Sequence, residues 1–129
     1  MGINTAVYVR DKALEVIRAL ADGGTIRIYS GNQPATVNGK AKGLLLAELT
    51  IGEFSSPEGG KMRADVSPDP AAKTTGRATW YRVLQDDGTA LWDGDITIKG
   101  GGGSLEFDNV DIQAGAEVSL KYLSCWLPA

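Results

Sequence analysis

The 129-residue sequence has no histidine, one cysteine, and no aliphatic run longer than Leu44-Leu45-Leu46-Ala47. Without histidine, serine and cysteine nucleophile systems that rely on an imidazole base are excluded. The commonest metal ligand and the usual switch near neutral pH go with it. The lone Cys125 cannot form an intrachain disulfide, which suits a reducing compartment. An aliphatic run of four is far short of the ~20 residues that span a bilayer. Charge of one sign is also scarce: 13 basic against 16 acidic residues give a net −3. No basic stripe exists to hold phosphates or an anionic membrane, so neither nucleic acid nor membrane is expected as a partner. Arg10, Asp11, Lys12, Glu15 and Arg18 stand where a secretory signal needs an uncharged core, so the chain is expected to fold in a cytoplasm.

What is present points to strands. Apolar residues make up 43% of the chain, which suits one globular domain over residues 1–129. Seventeen glycines are about twice the usual ~7%. Spread between short apolar runs, they predict many turns. One helix is expected, over residues 5–21. Ala6, Val9, Ala13, Val16, Ile17 and Leu20 share one face of it at helical spacing. Asn4 or Thr5 would cap its start, and Gly23 or Gly24 would end it in a left-handed conformation. That apolar face would pack on the domain's own sheets, or on a neighbouring subunit.

Strands follow over residues 25–128. Thr25–Gly31 alternates Ile26 and Ile28 with Arg27 and Tyr29, the strand period. Residues 35–43 suit an exposed loop and Leu44–Ile51 a second strand. Lys61–Val66 reads as a short strand. Pro68 and Pro70 make Ser67–Thr75 a loop, and loops of that length are often contact elements. Lys99–Ser104, with four glycines, reads as a flexible break. Ser104–Phe107 is a short strand, and Asp111–Gly115 a turn into a last strand over Ala116–Leu127. That strand is apolar on both faces, so a central or interface position is expected.

The densest apolar stretch, Gly76–Ile98, reads as a central hairpin. A two-residue turn at Asp87-Gly88 would set Leu84 opposite Leu91 and Arg82 opposite Asp93. A three-residue loop at Asp86-Asp87-Gly88 would shift every partner by one. The first is preferred, because it pairs opposite charges and collects Tyr81, Val83, Trp92, Ile96 and Ile98 on one apolar face. The other, mixed face carries Trp80, Arg82, Leu84 and Leu91, the candidate interaction surface. With one helix and seven to eight strands, the expected class is all-β, an antiparallel sandwich or jelly roll.

No motif carries catalysis. Asp93-Gly94-Asp95 lacks the further oxygens of a calcium loop, so no metal is assigned. Its acids have no evident cleft for glycoside hydrolysis. Gly59-Gly60-Lys61 lacks the earlier glycine and the following Ser or Thr of a phosphate loop. Gly100–Gly103 has no helix behind it. Cys125 sits in an apolar strand and reads as a buried structural thiol. No cofactor or catalytic residue is assigned.

The order of the pieces does resemble a known family. An amphipathic helix ends in Gly23-Gly24. Thr25-Ile26-Arg27-Ile28-Tyr29-Ser30-Gly31 and Gln33-Pro34-Ala35 follow. Next come Gly43–Leu49, Ala78-Thr79-Trp80-Tyr81-Arg82, Asp87-Gly88-Thr89 and Trp92-Asp93-Gly94, and a Gly115-led strand closes with Leu127-Pro128. Over nearly its whole length the chain is similar to small tailed-bacteriophage virion structural proteins. The resemblance implies a non-enzymatic virion component assembled in the host bacterial cytoplasm. A capsid decoration or cement protein that bridges capsid subunits is expected first, and a neck or tail accessory subunit second. Its partners would be itself, as a dimer or trimer, and the major capsid protein or other virion proteins. A reading of another class is a carbohydrate-binding sandwich on a phage tail, stacking sugars on Trp80 or Tyr81.

Overall fold

The computed structural model describes residues 6–127. The fold is all-β with one N-terminal helix. Helix α1 spans Val7–Ala21, and nine strands follow: β1 Thr25–Tyr29, β2 Leu45–Phe54, β3 Lys61–Ser67, β4 Gly76–Arg77, β5 Trp80–Leu84, β6 Ala90–Ile98, β7 Leu105–Phe107, β8 Asp111–Ile112 and β9 Tyr122–Trp126. Seven strands form one sheet in the order β7-β6-β5-β1-β2-β3-β9, and β4 pairs with β8 in a second. The large sheet curls until it is nearly closed. All its neighbours are antiparallel except β6 and β7.

The alternation read in β1 holds: Ile26 and Ile28 are fully buried. They face Leu49 and Ala47 across β2, and Val83 and Tyr81 across β5. With Ile51, Phe54, Met62, Ala64, Ile96, Leu105, Phe107 and Leu123 they form one core. Removing such side chains from water is the main favourable term in the fold. In β3, Met62 and Ala64 point inward while Lys61, Arg63 and Asp65 stay exposed, as period two requires.

The central hairpin uses both candidate registers. Gln85 donates its N–H to the Thr89 carbonyl at 2.8 Å, and Gly88 (φ 90°) closes the loop over Asp86-Asp87-Gly88. Leu84 therefore faces Ala90, not Leu91. A bulge then shifts the ladder by one, so Val83 faces Trp92 and Arg82 faces Asp93. The bulge reconciles a three-residue turn with a register that pairs opposite charges.

Two loops and the last strand differ from their sequence readings as a contact loop, a flexible break and a central or interface strand. Pro68 and Pro70 flank Asp69, which is buried. Its Oδ2 accepts from the Glu48 N–H at 2.9 Å, and its backbone exchanges two hydrogen bonds with Val118. Ala72 and Lys73 continue the stitching to Ala116 and Leu46. This segment satisfies backbone along β2 that no strand covers, so it is structural. In the glycine run, Gly100 and Gly102 adopt positive φ, while a Cβ on Gly101 or Gly103 would press into Thr97 at 2.7–2.8 Å. These glycines let the chain reverse tightly enough to lay β7 parallel to β6, a connection that usually takes a dozen or more residues. At the other end, only Tyr122–Trp126 of the expected last strand is regular, and it lies at the sheet edge rather than in its centre.

The helix differs most. It begins at Val7 with Ala6 in the cap position, which offers no side-chain acceptor; Asn4 and Thr5 lie outside the described residues. Gly23 (φ 74°) does supply the left-handed residue after it. The face turned to the sheet carries Leu14 and Ala21, both fully buried, with Ile17 partly covered. Val9, Val16 and Leu20, expected against the core or a neighbouring subunit, are 53%, 62% and 41% exposed. Hydrogen bonds set the rotation. Asp11 Oδ1 accepts from the Gly60 N–H at 2.7 Å in the turn after β2. Asp22 Oδ1 accepts from the Phe54 N–H at 2.9 Å. Gly59 and Gly60, both at positive φ, form the two-residue turn that presents the first of these donors. Leu14→Ala is expected to cost about 2–5 kcal/mol in a denaturant titration, the range for emptying a buried leucine site. Val16→Ala should stay within about 0.5 kcal/mol, as expected for an exposed position.

Candidate interaction surface

Strand β5 lies between β1 and β6, and each of its five residues is buried. Across its outward side runs a charged row in register: Glu48 on β2, Arg27 on β1, Arg82 on β5 and Asp93 on β6. Arg82 donates from Nε to Asp93 Oδ1 at 2.6 Å and from Nη2 to Oδ2 at 3.0 Å. Both side chains are nearly closed to solvent, at 8% and 3% exposure. This two-pronged contact holds the Arg82 guanidinium in its charged form, its pKa raised above the usual arginine value chiefly by hydrogen bonding to Asp93. The outer Arg27–Glu48 contact, at 3.3 Å between partly exposed side chains, adds less. Arg82 also lies 5.4 Å from the Trp80 ring, which stacks on Tyr29 at 4.5 Å and donates its Nε1–H to the Ser30 carbonyl at 3.2 Å.

Of the four residues read as an interaction surface, the structure therefore takes Trp80, Arg82 and Leu84 out of reach, and leaves Leu91 half-buried. The mixed face is covered because a central strand has neighbours on both sides and its large aromatics fill the space above them. The hairpin aspartates are structural. Asp93 pairs with Arg82, and Asp95 accepts from the Ser104 N–H at 2.9 Å. Asp87 accepts from the Thr89 N–H at 2.9 Å, and its carboxyl is held below the ordinary range by bonds to the Thr89 side chain and backbone. Among the described residues, no three acidic or thiol side chains converge as metal ligands would.

Tyr81 points inward and its hydroxyl meets Ser104 Oγ at 2.6 Å. Its ring lies flat on Gly94, where any Cβ would overlap it. Burial pushes its phenol above the usual tyrosine value, and the Ser104 contact pulls part of the way back. Beside it, Cys125 is half-buried and burial raises its thiol too, so it stays protonated and unreactive at neutral pH.

Tyr81 and Cys125 help to line an apolar groove of about 380 Å³. Leu91 and Trp92 of β6 line it too, with Trp126 and Leu127 at the end of β9 and Ile17 and Leu20 of α1. It opens where β9, the last strand of the sheet, faces β6 and the helix. Trp126 is 55% exposed, large for an aromatic outside an interface. Leu91 was named in the expected interaction surface; Trp126 and the helix residues were read only as parts of elements that could face a neighbour. Their signals were present in a final strand apolar on both faces and in a helix stripe wider than one sheet contact needs.

Comparison with known proteins returns no relative: no protein family, curated protein or solved structure matches the chain.

Two substitutions check the interior chemistry. Asp93→Ala is expected to cost about 3–5 kcal/mol in urea unfolding, because it strands the Arg82 charge in a closed site, and adding Arg82→Met should recover much of the loss. Tyr81→Phe should cost about 1 kcal/mol through the lost Ser104 bond. Since the folded phenol titrates above its unfolded value, its contribution is complete below pH ~10 and falls away as pH rises past that point. Alkaline unfolding followed by circular dichroism should show that decline in the parent protein and a shallower one in Tyr81→Phe.

Proposed function

We propose that this chain is a non-enzymatic virion structural protein, a capsid decoration or cement subunit that stabilises a phage head by bridging capsid subunits. The observation that carries the reading is the exposed apolar groove at the end of the sheet, framed by Leu91, Trp92, Trp126 and Leu20. Large apolar side chains gathered at one rim mark a contact surface, and tryptophan is the residue most enriched among interface hot spots. The rest of the molecule supports a scaffold for contact: Asp69, Asp87, Asp93 and Asp95 are spent on internal bonds, and several glycines on tight connections. The sequence resemblance to small tailed-phage virion proteins supplies the setting, with the major capsid protein or another virion protein as the surface to be gripped. A neck or tail accessory subunit would use the same groove.

The carbohydrate reading has less support. It relies on stacking by Trp80 or Tyr81, which are 0% and 2% exposed.

The test is to look for the protein in purified virions made by the genome that encodes it, and to pellet added protein with particles that lack it. It is expected at high copy on the particle and should pellet with the depleted shells. Trp126→Ala should weaken that binding by more than tenfold, which corresponds to about 1.4 kcal/mol or more, while leaving the melting curve unchanged. Absence from purified particles would sink the proposal.

A further inference from the structure

The large sheet curls until its two edge strands, β7 and β9, border one slot. Each has a strand partner on one side only. On β9 the Leu127 N–H donates to the Gly60 carbonyl at 3.2 Å, and Trp126 stands opposite Lys61. This register turns the backbone of Leu123 and Cys125 towards β3, and that of Tyr122, Ser124 and Trp126 into the slot. On β7 the Phe107 carbonyl accepts from the Lys99 N–H at 2.9 Å. Leu105 and Phe107 therefore bond to β6, and the Glu106 N–H and C=O point the other way. Among the described residues, no backbone group meets the outward groups of these four.

The slot has a volume of about 540 Å³, and Gly103, Ser104, Ser119 and Ser124 line it, small enough for another backbone to come close. Ser104, Ser124 and Trp126 also line the apolar groove, so the two are continuous. Arg63 sits 4.7 Å over the Tyr122 ring and draws it towards β3, away from the opening. Between Tyr122 and Trp126 there is no proline, bulge or charge, the devices that normally blunt a sheet edge.

We propose that the slot takes up one extended segment of a partner polypeptide, which adds a strand between β9 and β7 and closes the sheet. This deepens the assembly reading, on which it rests, by naming how the virion partner is gripped. The two walls select the occupant. Both are rows of backbone donors and acceptors, so the ligand must offer hydrogen bonds along both of its edges. Only a lone extended strand does so. A folded second copy does not, because each of its edge strands already has one side covered. Direction follows as well. The pairs from β9 to β6 are all antiparallel and β7 is parallel to β6, so β7 and β9 run in opposite senses. A segment antiparallel to β9, the longer edge, lies parallel to β7. Matched to the strand Tyr122–Trp126, it is about five residues or ~17 Å long. Its alternate residues point inward beside Leu105, Phe107, Leu123 and Cys125 and are apolar. The others point outward beside Glu106 and Ser124 and are polar.

The probe is the acetylated and amidated peptide Thr-Val-Thr-Val-Thr-Val-Thr, added to the full chain and followed by amide hydrogen exchange in NMR spectra. At millimolar peptide the amides of Tyr122, Ser124, Trp126 and Glu106 should slow several-fold. The same peptide N-methylated at its valines loses one row of donors and should leave the exchange unchanged. Ser124→Pro removes a donor from the slot wall and none from the ladder to β3, so it should keep the melting curve and lose the peptide. Should that variant lose its fold, the N-methylated peptide carries the same test. Unchanged exchange at millimolar peptide overturns the proposal. So does equal protection by the N-methylated peptide, and so does protection of β9 that leaves Glu106 exchanging as before. Ser124→Pro protein that no longer takes the peptide but still pellets with depleted shells overturns the slot as the virion contact and leaves the assembly reading standing. A chain that takes the peptide but is absent from purified virions sinks the assembly reading and leaves the slot standing as a strand-binding site.

Discussion

Two carboxylates on one side of a helix decide how this molecule presents itself. Asp11 and Asp22 each accept a backbone N–H from the β2–β3 hairpin, at Gly60 and Phe54. These donors lie where the ladder leaves them without a strand partner, and an unpaired buried donor costs about 1–3 kcal/mol. A charged acceptor at each end of α1 meets that need and prevents the helix from rolling. Once it is held, Leu14 and Ala21 must go inward and the Val9–Val16–Leu20 stripe must go outward. Hydrophobic burial alone would favour the opposite rotation. The two hydrogen bonds prevail because they are directional and an apolar contact is not.

The same economy runs through the sheet. Backbone that the ladder leaves free is taken up by side chains at fixed points: Asp69 serves Glu48, Asp95 serves Ser104, and Thr97 Oγ1 accepts from Gly103. Acidic residues that look like chemistry in the sequence are thus consumed as acceptors. Arg82 and Asp93 close the middle of the sheet with an ion pair that solvent scarcely reaches. Much of the apolar surface left uncovered gathers at one end, where helix, β6 and the edge strand β9 meet. The proposed contact with another macromolecule rests on this arrangement.

Much of the fold was legible along the chain. Strong period-two alternation located β1 and β3, and the paired glycines at positions 23–24 marked a helix end. The Arg82–Asp93 pairing followed from matching charges across a turn. The interaction surface was legible only in part. Trp80 and Arg82 on an alternating strand read as a mixed, half-exposed face, because alternation identifies two faces without saying whether each is covered. Their burial depends on β1 and β6 lying on either side and on Tyr29 stacking over Trp80. The glycine run likewise read as slack, though its residues are packed against Thr97.

By itself, the sequence determined the local conformations: a helix with an apolar seam, strands of given period, turns where glycine must adopt positive φ, and no histidine chemistry. Those are properties of neighbouring residues, set by sterics and side-chain periodicity. Tertiary structure alone decided which face of each element meets the core. That choice belongs to contacts between residues far apart in the chain, Asp11 with Gly60 and Asp22 with Phe54, whose hydrogen-bonding geometry is not encoded in the period of either segment.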